Sequence, residues 1–125
     1  PLGAGAVVSE SDIDAAVAAA RRALPDWQAS SPEHRAGIMV AMANALKARA
    51  KETSELVSRE NGMPIRLSRG ANGAFPALLL RYYAQLVTEV PVEEIRPSMT
   101  GHTIVRREAV GVVGAIVPWN YPQAL

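Results

Sequence analysis

Apolar residues recur at helical spacing through the first three quarters of the chain and change to alternation and a continuous run near its end. Pro1 to Val8 is small and glycine-containing and reads as a loop or an edge strand. Ile13, Ala16, Val17, Ala20 and Leu24 then mark one face of a helix. Ser9 and Asp12 sit at the spacing of a capping box, with Asp in place of the usual Glu. Pro25 is expected to end this alanine-rich helix. A second start follows at Ser31-Pro32-Glu33: a cap, a proline at the first helical position and an acid in the first turn. Ile38, Met42, Ala45 and Leu46 predict its buried stripe, and a further amphipathic turn continues through Leu56 and Val57. Asn61-Gly62-Met63-Pro64 stops it, Gly62 suiting the left-handed closing position.

A third helical region is predicted from Ile65 to about Val90, with Gly70 and Gly73 as possible breaks and Pro91 as its close. Phe75, Leu79, Tyr82 and Leu86 share one face. From Val92 to Arg107 the pattern alternates, and Thr100-Gly101-His102 reads as a hairpin turn. Val110 to Val117 is continuously apolar, as in strands buried on both faces of a parallel sheet. The expected architecture is α/β but incomplete. Residues 1–91 form a helical layer, 92–107 a β-hairpin, and 108–125 a first core strand with the loop after it. A lone core strand needs sheet partners, so the segment is expected to be part of a longer polypeptide.

Composition removes several function classes. Thirteen basic and twelve acidic side chains nearly cancel and are interspersed, which leaves no basic stripe for nucleic acid or an anionic membrane. The longest apolar runs, Leu78–Leu80 and Val110–Pro118, are far short of a bilayer span, and no secretory signal opens the sequence. A cytoplasmic location is expected. With no cysteine, the segment has no disulfide framework, thiolate metal site or thiol nucleophile of its own. No metal site is expected, because His34 and His102 lie in different elements without a second ligand at metal spacing. Adjacent Glu93 and Glu94 would point to opposite faces of a strand and share no proton. Arg106-Arg107-Glu108 reads as a solvated strand end. Gly111 and Gly114 give G-x-x-G, short of a dinucleotide fingerprint, and read as packing glycines.

The chemistry concentrates in Pro118-Trp119-Asn120-Tyr121-Pro122. In open α/β sheets ligands bind beyond the carboxyl ends of strands, where this turn would lie. Two prolines hold it rigid. A rigid turn can aim the neutral NH2 of Asn120 at a developing oxyanion, or Asn120 can simply bond its own backbone as turn asparagines do. Local features by themselves favour the turn reading.

"GVVGAIVPWNYP" closely resembles the aldehyde dehydrogenase segment that leads into the oxyanion-hole asparagine. "SESDIDAAVAAARRALPDW", "SPEHRAGIMVAMANALKARAKETSELVSRENGMP", "LLRYYAQL" and "RREAVGVVGAIVPWN" are similar to family segments, in family order and spacing. The resemblance covers essentially the whole chain. It implies a Rossmann-like domain and NAD(P)-dependent oxidation of an aldehyde to an acid. A cysteine thiolate attacks the aldehyde, a side-chain amide and a backbone N–H hold the oxyanion, and a glutamate-activated water releases the acid. Asn120 matches the oxyanion asparagine. Ile116, Val117, Pro118 and Trp119 match the strand end that flanks NAD or NADP, and Tyr121 stands near the mouth of the substrate tunnel. The 92–107 hairpin matches a flap that reaches a neighbouring subunit, which implies a homodimer or homotetramer. The cysteine and glutamate would lie beyond Leu125. The rival expectations are a non-catalytic helical interaction module and an acyl-phosphate reductase-like relative on the same scaffold.

Overall fold

The computed structural model describes residues 3–125. Residues 3–9 carry no regular structure, which settles the loop reading for that part; Pro1 and Leu2 lie outside the described residues. Helix α1 spans Glu10–Ala29 and opens with the expected capping box. The Asp12 N–H donates to Ser9 Oγ at 3.3 Å, and the Ser9 N–H donates to the Asp12 carboxylate at 2.9 Å. Hydrogen bonds from the Ser9 side chain, then from its backbone, hold the Asp12 carboxyl below its ordinary value. A carboxylate with a depressed folded value contributes stability above its unfolded pKa and loses it as pH falls through the folded one. Hydrogen-exchange protection in the first turn of α1 should therefore hold at neutral pH and decline as pH falls through the lowered Asp12 value, and Asp12→Asn should abolish that dependence. Protection that stays level through the acid range in the wild type would contradict this.

Pro25 does not end α1; the helix continues four residues to Ala29. A proline inside a helix removes one N–H and crowds the carbonyl four residues back. Both Arg21 and Pro25 are exposed, so solvent can serve the freed carbonyl. The end comes instead at Ser30, whose N–H and hydroxyl both donate to the Trp27 carbonyl.

Helix α2, Pro32–Ala48, starts as expected, with Ser31 Oγ accepting from the His34 N–H at 3.1 Å. Its buried face differs from the expected stripe. Ile38 and Met42 are exposed, while Ala43 is fully buried. Helix α2 packs mainly on α5, Phe75–Glu89, where Ala77 and Ala84 are buried. The side chains buried on these two helices are small, while Ile38 and Met42 face outward. Phe75, Leu79, Tyr82 and Leu86 do share a face, but it is only half-covered: Phe75 and Tyr82 are exposed.

Helix α3, Ala50–Asn61, buries Val57 and leaves Leu56 exposed. It stops at Gly62, left-handed at φ 77°. Helix α4, Ile65–Ser68, runs into a π-helical turn, Arg69–Ala74, and then into α5. The glycines at 70 and 73 therefore lie in a widened turn and do not break the helix. Pro76 has no N–H for the carbonyl four residues earlier, and a wider turn relieves that mismatch. Gly73 lets the turn lie against α3: a Cβ there would sit 3.0 Å from the Ala50 carbonyl oxygen.

Strands β1, Glu93–Ser98, and β2, Gly101–Arg106, form an antiparallel hairpin. Its tip is Met99-Thr100, one residue earlier than expected, because Gly101 and His102 already pair with Ser98 and Pro97. Gly101, at φ 137°, takes the positive angle at the first paired position of β2. Glu93 and Glu94 share no proton: Glu93 pairs with Arg106, and Glu94 with Arg96 and Arg107. Arg96 above all holds the Glu94 carboxyl below its ordinary range.

The expected core strand at 110–117 is not formed. Val110 and Ile116 are almost wholly exposed, and Gly111 adopts φ 116°. A strand is defined by its ladder, and the one sheet among the described residues is the hairpin.

Candidate functional site

The pentapeptide loop follows this open apolar segment. Ile116 and Trp119 are well exposed and Val117 about half, while Pro118, Asn120 and Tyr121 are half-buried. After it the chain turns back on itself, the Ala124 and Leu125 N–H groups both donating to the Tyr121 carbonyl. Among the described residues, the Asn120 side chain bonds no backbone group. The Asn120 NH2 is therefore available to another acceptor.

Among the described residues, one side-chain hydrogen bond ties the loop to the helical layer. Asn61, the last residue of α3, donates from Nδ2 to the Trp119 carbonyl at 3.4 Å. Its Oδ1 accepts from the Met63 N–H at 2.9 Å. Behind Met63 lies a buried polar set. Asn72 donates to Met63 Sδ at 3.4 Å and to Ser68 Oγ at 3.3 Å, and Ser68 Oγ donates to the Ser54 carbonyl at 2.8 Å. Ser54, Ser68 and Asn72 are all essentially inaccessible. Sequence reasoning placed Asn61 only as part of a helix stop and missed the buried set. The Asn-Gly pair was the one signal present for Asn61. The serines and Asn72 sit within helical pattern and carry none.

The residues at 116–119 offer apolar side chains and no charge, and of their backbone groups the Trp119 carbonyl is already taken by Asn61. That set lacks the helix N-terminus or glycine cradle that a pyrophosphate favours.

A sequence profile of the aldehyde dehydrogenase family matches residues 1–125. The chain belongs to the aldehyde dehydrogenase family. It is 47% identical over 117 residues to geranial dehydrogenase of Castellaniella defragrans, covering 91% of this chain and 24% of that protein. It is 37% identical over 116 residues to the NADP/NAD-dependent aldehyde dehydrogenase PuuC of Escherichia coli, covering 91% and 23%. The crystal structure of the Mycobacterium tuberculosis aldehyde dehydrogenase complexed with NAD+ superposes with a TM-score of 0.82 at 35% identity, covering 94% of this chain and 25% of that one. The chain thus spans about a quarter of the length of these relatives, and its helices and hairpin are part of an incomplete α/β fold. Among the described residues, no helix is long and apolar enough to cross a membrane.

Proposed function

We propose that this chain is the N-terminal part of an NAD(P)-dependent aldehyde dehydrogenase that oxidises an aldehyde to a carboxylic acid in the cytoplasm, with Asn120 as its oxyanion donor. The observation that carries the reading is an asparagine held in a proline-bounded loop with its NH2 unspent on the chain's own backbone. A cysteine from the remainder of the protein attacks the aldehyde carbon, and negative charge gathers on the former carbonyl oxygen. Asn120 Nδ2–H donates to that oxygen in the thiohemiacetal so formed; once its carbon has given up a hydride a thioester remains, from which a water activated by a glutamate would release the acid. Ile116, Val117, Pro118 and Trp119 would flank NAD or NADP, which when bound supplies the hydride acceptor. Tyr121 would face the entering aldehyde. Residues 92–107 would reach a second subunit in a homodimer or homotetramer, their exposed Ile95 and Ile104 lying opposite each other across the two strands.

Family membership weighs against a free-standing helical interaction module. The acyl-phosphate reductase alternative differs in product. The full-length protein, given a panel of aldehydes with NAD or NADP, should form reduced nicotinamide and free acid in equal amounts without phosphate. Absence of reduced nicotinamide with every aldehyde, or turnover that depends on phosphate and yields an acyl phosphate, would overturn the proposal.

A further inference from the structure

The hydrogen bonds of Asn61 have a single sense. Its Oδ1 faces an N–H and its Nδ2 faces a carbonyl. Rotating the amide by half a turn would set donor against donor and oxygen against oxygen, so both bonds hold only in this orientation. Gly62, left-handed at φ 77°, brings the Met63 N–H back over Asn61. Met63 is itself held through sulfur by the buried Asn72. The orientation of Asn61 is thus referred to the core between α3 and the π-helical turn.

The group that Asn61 reaches is 58 residues away in sequence. The Trp119 carbonyl and the Asn120 N–H and Cα belong to one planar peptide unit. Holding the carbonyl oxygen therefore limits where the Asn120 side chain can start. We propose that Asn61 is a positioning residue for Asn120: it fixes the Trp119–Asn120 peptide plane so that the Asn120 amide meets the reacting oxygen. This rests on Asn120 being the oxyanion donor. It adds a role for a residue that otherwise only closes a helix.

The test uses the full-length holoenzyme and the variants Asn61→Asp, Asn61→Ser, Asn120→Ala and the two double variants. Aspartate and serine both keep an acceptor for the Met63 N–H, so the helix stop survives. Aspartate replaces the donor with an oxygen facing the Trp119 carbonyl, and serine is too short to reach it. Hydrogen exchange of the 118–122 segment should quicken in both Asn61 variants. Each should lower kcat by about tenfold, a modest share of what misplacing a catalytic group can cost. In the Asn120→Ala background the same substitutions should cost almost nothing, because there is no donor left to misplace. Unchanged exchange in both Asn61 variants would overturn the anchor. Faster exchange with an equal loss of kcat in both backgrounds would leave a structural role and overturn the positioning. Asn120→Ala at the wild-type single-turnover rate would instead overturn the oxyanion reading, while the exchange comparison still decides by itself whether Asn61 holds the loop.

Discussion

Asn120→Ala in the full-length enzyme is expected to lower kcat by about 10²–10³, or roughly 3–4 kcal/mol, the usual consequence of losing one oxyanion donor. The aldehyde oxygen carries little charge before attack and full charge after it. A hydrogen bond that strengthens as charge develops lowers the barrier more than it tightens ground-state binding. The effect should therefore fall on kcat and kcat/KM together, with little change in cofactor affinity, because Ile116 to Trp119 would still present their backbone. If release of the reduced cofactor limits turnover, the loss appears first in kcat/KM. Steady-state kinetics with a saturating cofactor, paired with single-turnover measurements, separate these cases. A variant with normal single-turnover rates would remove Asn120 from the reaction.

A second large effect concerns the 125-residue chain by itself, which is expected to catalyse no aldehyde oxidation with either cofactor. It contains no cysteine, and covalent catalysis of this kind needs a thiolate nucleophile. The same chain leaves much apolar surface uncovered: Ile38 and Met42 on α2, Phe75 and Tyr82 on α5, and Val110 and Ile116 along the open segment. Exposed apolar side chains, together with an unpaired strand-forming segment, favour association. Sedimentation of the purified chain should show self-association, and its thermal unfolding should lack a sharp cooperative transition. Turnover free of contaminating full-length enzyme, or a cooperative monomeric melt, would show that the segment is an independent unit.

The elements most legible in the sequence are those decided by near neighbours. Ser9 and Asp12, Ser31 and Pro32, and Gly62 each act within a few residues, and all stand where their spacing puts them. What escaped depends on distant partners. Helix α2 has apolar residues on more than one face, and its packing on α5, where Ala43 and Ala84 are both buried, selects the one that is covered. Pro25 reads as a stop, but the lost bond and the crowded carbonyl fall on an exposed face, and α1 continues past it. The apolar run at 110–117 has the composition of a strand and lacks the ladder that would make it one. The same division holds at the site. The pentapeptide around Asn120 is contiguous and recognisable by itself. Asn61 lies 58 residues from the carbonyl it holds, and no local pattern records that contact.

The proposal that Asn120 acts as a donor to developing negative charge is tested most directly by comparing kcat for Asn120→Asp and Asn120→Ala in the full-length enzyme. Aspartate keeps the shape of asparagine and replaces the NH2 donor with a carboxylate that repels the charge on the reacting oxygen. Alanine removes the donor without adding repulsion. The expected order is wild type far above alanine, and alanine above aspartate. If the side chain served only the turn, the order would reverse, because aspartate suits turns almost as well as asparagine does. Aspartate at near-normal kcat, with alanine merely less stable, would contradict the account.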